Sequence, residues 1–328
     1  MSRMAPRSAR AIEVSAKTKI GVIGTGYLGR FHAMIYARMP EVELVGVADT
    51  DLAKARAVAA EFACPAFADS RALLGRVDAV SVVVPTTAHL EVARPFLEHR
   101  VHMLMEKPIA PSLEEGRAIV ALAERAGVIL QVGHLERFNG GVMALADLIE
   151  RPRFIEAHRM GGFVERATDV DVVSDLMIHD IDIILSLVDA EITRIAAVGS
   201  PVLTDHVDIA NARLEFANGT VANVVASRVS DTKMRRIRVF QERRYLALDF
   251  IEQYIDVAYT RARPGGGRRE IVRERIEVAP VKPLDKELEA FVHCVRTGMA
   301  PLVNGHVGLE ALQVALQVKA KMLADTAR

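Results

Sequence analysis

The ten residues from Ile20 to Gly29 read I-G-V-I-G-T-G-Y-L-G, and they restrict the fold more than any other stretch. An apolar run of Ile20, Val22 and Ile23 breaks into Gly24-x-Gly26-x-x-Gly29, then passes into a helical pattern with Leu28, Phe31 and Ile35 on one face. The order is strand, tight turn, helix. Gly24 permits the turn, Gly26 admits a pyrophosphate to the backbone, and Gly29 lets helix and strand pack closely. The helix that Tyr27 and Leu28 open then presents its unpaired N–H groups and positive dipole end to the phosphates.

A second strand, Val42 to Ala48, leads into Asp49, about 20 residues past the last glycine, where a carboxylate accepts hydrogen bonds from a ribose 2′-OH. The competing reading of Asp49 is a cap for the helix that begins at Asp51. A carboxylate at this point repels a 2′-phosphate, and no Arg or Lys follows it immediately. NAD is therefore expected in preference to NADP.

From Lys19 to about Val132 strand-like and helix-like patterns alternate, which calls for a parallel sheet with helices on both faces. The strands fall at Ile20–Ile23, Leu44–Ala48, Ala79–Val84, Val101–Met105 and Val128–Gln131, and the helices at Leu28–Met39, Leu52–Phe62, Leu90–Glu98 and Leu113–Ala126. Ligands of such sheets bind beyond the carboxyl ends of the strands. Pro85, Thr86 and His89 follow one strand end there and should border the cofactor. Glu106 and Lys107 follow the next, and Pro108 holds Lys107 extended rather than wound into a helix.

After Gln131 the pattern changes. Gly133-His134-Leu135-Glu136-Arg137-Phe138 and the residues to Gly141 form a polar bend between domains. From Arg153 to about Val278 the chain is mainly strand-like. Ile209–Phe216 and Val221–Val229 are joined by Asn218-Gly219, a hairpin signal. Arg235–Gln241, Tyr245–Phe250, Tyr254–Thr260 and Ile271–Val278 follow across short turns, so an open, mainly antiparallel sheet is expected. One apolar helix, Asp175–Val188, interrupts them. Asp175, His179 and Asp182 lie on one of its faces, and burying them is costly unless they pair or work. The Asp175 carboxylate is placed to orient His179 and raise its affinity for a proton, as a general base requires. Helices Asp285–Thr297 and His306–Ala324 close the chain and are expected to brace the domain junction.

The expected organisation is a disordered leader at 1–18, a doubly wound Rossmann domain at 19–132, and an α+β domain for substrate and oligomerisation at 133–328. The 328 residues suffice for two cores, and 42 basic residues balance 42 acidic ones, so neither nucleic acid nor a membrane surface is indicated. No apolar run is long enough to span a bilayer, and the basic, alanine-rich start lacks the apolar core of a secretory signal. Cys64 and Cys294 are far apart and in no metal-ligand spacing, which excludes a disulfide framework and suits the cytoplasm; no metal is expected.

Taken together, the glycine fingerprint, Glu106-Lys107-Pro108, Gly133-His134 through Arg137-Phe138, and Asp175-x-x-x-His179-x-x-Asp182 resemble, in this order, the glucose–fructose oxidoreductase, inositol dehydrogenase and MocA family. The resemblance covers nearly the whole chain beyond the leader. It implies Lys107, Asp175 and His179 as the catalytic set, and a homodimer or homotetramer joined through the C-terminal sheet. Met177 stands where the family often has Gly, and His134 where it often has Asn. Within the family, G-H-L-E-R-F-N and D-L-M-I-H-D-I-D are most similar to UDP-N-acetylglucosamine 3-dehydrogenases. The implied activity is hydride transfer from the sugar 3-OH to NAD, with Lys107 or His179 as the formal base. His134 and Asp182 would border the substrate, and Arg137, Arg159 and Arg166 are the candidate partners of UDP. The alternatives are oxidation of a free sugar, cyclitol or other polyol, and a non-catalytic NAD sensor.

Overall fold

The computed structural model describes residues 16–163, 170–263, 268–279 and 281–326. Arg166, the turn at 264–267 and most of the expected leader lie outside the described residues.

Six strands form a parallel sheet in the order β3-β2-β1-β4-β5-β6 among the described residues. They are β1 (Thr18–Ile23), β2 (Val42–Ala48), β3 (Ala66–Phe67), β4 (Ala79–Val82), β5 (His102–Glu106) and β6 (Leu130–Gly133). Helices α1 (Tyr27–Arg38), α2 (Leu52–Phe62), α3 (His89–Glu98) and α4 (Leu113–Ala126) make crossovers between them. Local chemistry sets their ends. The Ser112 hydroxyl accepts a hydrogen bond from Glu115 N to open α4, and Gly127 closes it in the left-handed region. Ser81, polar in an otherwise apolar buried strand, is satisfied by the Tyr36 hydroxyl at 2.8 Å.

β4 stops two residues short of its apolar run. Val83 N still donates to Ile23 O at 2.7 Å, but the chain then turns away from the sheet. Val83 and Val84 thereby become lining for a cavity. The edge strand β3, with only two residues, carries no alternation by which sequence could show it.

After α5 (Gly140–Ala146) comes β7 (Pro152–Met160), then a π-helical turn at Val173–Met177 that runs into α6 (Ile178–Leu187). Strands β8 (Ile192–Ser200), β9 (Ile209–Phe216), β10 (Val221–Ser227), β11 (Met234–Gln241), β12 (Arg244–Asp249), β13 (Tyr254–Arg261) and β14 (Glu270–Glu277) follow, and α7 (Pro283–Thr297) and α8 (Gly305–Thr326) end the chain. The second sheet has the order β14-β13-β12-β11-β7-β10-β9-β8. Its pairs are antiparallel except β7 with β10, which run parallel. The short-turn argument holds for successive strands; β7 and β10 are not successive, and the long connection through α6, β8 and β9 lets them run the same way.

Burial alternates along these strands, as for a sheet covered on one face. The inner face carries Ile155, Ala157, Ile237 and Val239, which share one core with Ile181 and Ile184 of α6 and Ala311 and Val318 of α8. The last two helices also reach the first sheet. Leu288 and Phe291 of α7 pack in a core with Ile20 and Val22. Val132 N donates to Val303 O at 2.9 Å, beside a bridge between Gln131 and Asn304. No helix among the described residues is long and apolar enough to cross a membrane.

Candidate active site

The parallel strands deliver their carboxyl ends to one side of the first sheet, where the glycine turn, the Val83–Pro85 segment and Glu106-Lys107 all lie. Gly24 has φ +92°, and a side chain there would run into the Val83 carbonyl. A Cβ on Gly29 would run into the Gly24 carbonyl. Gly26 differs: a Cβ would meet nothing within 4 Å, because this glycine faces a cavity of about 780 Å³. No side chain caps the start of α1 and its first turn carries no acidic residue, so the helix end keeps its preference for an anionic ligand. The cradle fits a dinucleotide.

Asp49 lines the same cavity. Its Oδ2 accepts from Thr25 N and Thr25 Oγ1, both at 2.8 Å, and its Oδ1 accepts from Asp51 N at 2.9 Å. Burial alone would raise its pKa, but these bonds hold the carboxyl below its usual range. The cap of α2 is Asp51, which accepts from Ala53 N and Lys54 N, so the capping reading of Asp49 fails.

Around the rim, Pro85 and Thr87 line the cavity, whereas Thr86 does not. Tyr27 and Leu28 open α1 without side chains in the lining, and the Tyr27 side chain is exposed. His89 requires a correction. It is buried, with Nδ1 3.2 Å from the Ile109 carbonyl and Nε2 3.1 Å from the Val84 carbonyl. Burial, above all, lowers its pKa, so it is a neutral clamp holding two loops together rather than a cofactor contact. Glu106 likewise points inward, to His32 Nε2 at 3.2 Å.

Lys107 crosses to the second half of the chain. Its Nζ donates to the Asp175 carbonyl at 2.8 Å and lies 3.5 Å from Asp175 Oδ1. The expectation that Asp175 orients His179 is thereby overturned: the π-helical turn breaks the regular spacing, and the carboxylate faces the lysine. His179 has a buried Nδ1 with no hydrogen-bond partner. Burial, with the charges of Lys107, Arg159, His134 and Arg235, pushes its pKa well below the usual value, where the sequence argument expected a rise. The imidazole is neutral. The His134 ring stands 6.5 Å from it, edge to face. Asp182 is buried 4.0 Å from His134 Nδ1 and accepts from Arg137 at 3.4 Å, and burial raises its pKa despite both neighbours.

Arg159 cannot serve UDP as expected. It is buried, with Nε and Nη2 donating to Asp180 at 3.0 and 2.9 Å and Nη1 to Glu136 at 2.9 Å. Sequence reasoning missed two residues. Glu287 of α7 is fully buried with neither carboxyl oxygen hydrogen-bonded, and burial raises its pKa well above the usual value. Arg235 interrupts the apolar set of Ile237 and Val239 on the inner face of β11, and that charge on a buried register is the signal that could have found it.

A dinucleotide cradle beside a lysine, a neutral histidine and paired carboxylates defines a nicotinamide-dependent oxidoreductase. Residues 18–134 match the oxidoreductase family with an NAD-binding Rossmann fold, and residues 149–247 match the GFO/IDH/MocA C-terminal domain. The chain is 38% identical over 302 residues to UDP-N-acetylglucosamine 3-dehydrogenase of Acidithiobacillus ferrooxidans, covering 92% of this chain and 96% of that one. It is 28% identical over 315 residues to scyllo-inositol 2-dehydrogenase (NAD(+)) of Bacillus subtilis, covering 88% and 89%. A solved structure of the Acidithiobacillus enzyme superposes with a TM-score of 0.88 over 94% of this chain and 98% of that one, at 38% identity. The protein belongs to the GFO/IDH/MocA family of oxidoreductases.

Proposed function

We propose that the protein oxidises the 3-hydroxyl of UDP-N-acetylglucosamine to the 3-keto sugar with NAD. The observation that carries this reading is the 38% identity to a UDP-N-acetylglucosamine 3-dehydrogenase across 92% of the chain. The Lys107, Asp175 and His179 cluster supplies the chemistry such a reaction needs.

NAD, when bound in the glycine cradle, supplies the hydride acceptor; Gly24, Gly26 and Gly29 shape its site, and the ionised Asp49 favours a free ribose hydroxyl over a 2′-phosphate. His179 accepts the hydroxyl proton on Nε2, since Nδ1 is buried. Asp175 fixes Lys107 so that its amino group hydrogen-bonds the same substrate oxygen and stabilises the charge that develops there. His134 and Asp182 shape the sugar side of the site. A division near residues 132 and 133, a cytoplasmic setting, and a homodimer or homotetramer formed on the outer face of the second sheet complete the reading. That face presents Phe154, Phe240 and Tyr245 in ring contact, with centroids 5.7 and 5.1 Å apart.

NAD reduction with UDP-N-acetylglucosamine as sole substrate, with an aminotransferase and amino donor drawing off the ketone, tests the assignment. Lys107→Met and His179→Asn should keep NAD affinity and each lower turnover by about 10²–10⁴-fold. Oxidation of inositols with silence on UDP-sugars would favour the polyol reading, and normal turnover in both variants would overturn the catalytic roles.

A further inference from the structure

Arg235 is a half-buried guanidinium with no ion pair or hydrogen-bond acceptor for its side chain among the described residues. The other described cations of the site are engaged. Arg159, its register partner across β7 and β11, is held by Asp180 and Glu136. Lys107 is held by Asp175, and Arg137 by Asp182. The carboxylates whose charge reaches Arg235 are Glu136, Asp180 and Asp175, each already committed to one of those partners. Two guanidinium groups thus sit side by side on the inner face of the sheet, one neutralised and one not ion-paired among the described residues. A partly desolvated cation set beside a second guanidinium favours an anionic ligand on its open side.

Its position gives the ligand. Arg235 shares the inner face with Ile237 and Val239, the face that α6 covers. Arg235 pairs in register with Arg159, and Arg159 with Ala226 near the end of β10, the strand against which the π-helical turn packs; the Asp175 charge of that turn reaches Arg235. The Arg235 charge is among those that reach His179. A guanidinium presents its donors in a fork that matches phosphate oxygens in pairs.

We propose that Arg235 binds the diphosphate of a nucleoside-diphosphate sugar and thereby sets the preference of this site for an anionic substrate over a neutral polyol. The inference rests on the sugar-nucleotide reading and names the residue that reading lacked once Arg159 proved to be internally paired.

The test compares the wild type with Arg235→Met and Arg235→Lys in three measurements: steady-state kinetics with UDP-N-acetylglucosamine, calorimetric binding of UDP, inorganic diphosphate and glucose 6-phosphate, and thermal unfolding. Loss of a charge-assisted hydrogen bond predicts UDP binding weakened about 10- to 150-fold in Arg235→Met, with KM rising alike and kcat changing less. Arg235→Lys should recover part of the affinity, and NAD affinity should hold. Selective weakening of UDP and diphosphate supports the assignment; glucose 6-phosphate weakened with UDP untouched assigns the site to a sugar phosphate and overturns it. Unchanged UDP affinity in Arg235→Met, with or without a lower unfolding temperature, also overturns it. If the wild type fails to oxidise UDP-N-acetylglucosamine, the proposed reaction falls by itself. The binding data still decide the role of Arg235, and a wild type that binds neither UDP nor diphosphate refutes it.

Discussion

Replacing Arg159 separates an internal ion cluster from a substrate contact. Arg159→Met keeps the stem that packs near Phe250 and removes the guanidinium, whose carbon lies 5.5 Å from that ring's centroid. Three hydrogen bonds of 2.9 to 3.0 Å vanish with it. Asp180, 2% exposed, and Glu136, 7% exposed, lose their bonded cation and keep only the unbonded charge of Arg235 nearby. Glu136 keeps one bond, from Asn139 Nδ2 at 3.1 Å, and so suffers less than Asp180. Removing one partner of a buried pair costs about 3–5 kcal/mol, a large share of the roughly 5–15 kcal/mol that holds a protein folded. Urea unfolding should show that loss, and Arg159→Met/Asp180→Asn should recover part of it by removing the worse orphan. KM for UDP-N-acetylglucosamine, measured on the fraction that remains folded, should stay near the wild-type value. A loss below about 1 kcal/mol accompanied by a raised KM would refute the structural role and return Arg159 to the substrate.

Gly29→Ala would press a methyl group against the Gly24 carbonyl, a backbone group that no rotamer change can move; it should cost about 1–3 kcal/mol and weaken NAD binding, and unchanged melting and NAD affinity would contradict the cradle geometry. The pH dependence of stability follows from His89, His134 and His179, whose pKa values are lowered chiefly by burial. The unfolded chain binds protons at these sites near pH 6.5 and the folded chain does not, so stability should hold above about pH 7 and decline as pH falls through about 6.5; a flat profile between those values would count against their neutrality. Glu287 acts in the opposite sense. The folded state keeps its proton while the unfolded state releases it above about pH 4.5, so Glu287→Gln should stabilise more at pH 8 than at pH 5, and equal effects would show that Glu287 is not held neutral.

Much of the fold was legible because its signals are local. The glycine turn is a steric requirement written in three residues, and α2 and α4 begin and end where periodicity places them. Strands β9 to β14 of the second sheet fall close to their expected spans because Asn218-Gly219 and alternation mark them, whereas β7 and β8 have no expected span of their own. The parallel pairing of β7 with β10 depends on residues about 70 apart, and no local pattern encodes it. The site divides in the same way. Lys107, Asp175 and His179 do converge, but the partner of Asp175 is decided by a π-helical turn whose extra residue leaves no mark in hydrophobic spacing. Arg159 and Arg235 look alike in sequence; only the position of Asp180 and Glu136 in space tells the engaged guanidinium from the free one.

The last two helices have a consequence for synthesis on the ribosome. Val303 and Asn304 lie along β6, and Leu288 and Phe291 fill the space beside β1, so the first sheet borrows part of its interior from the end of the chain. An emerging polypeptide that has made all six strands still carries an uncovered apolar patch and an unpaired edge at β6. Synthesis of α7 and α8, rather than of the sixth strand, is the step at which the nucleotide-binding half can close. Until then the apolar patch and the strand edge are open to misassociation.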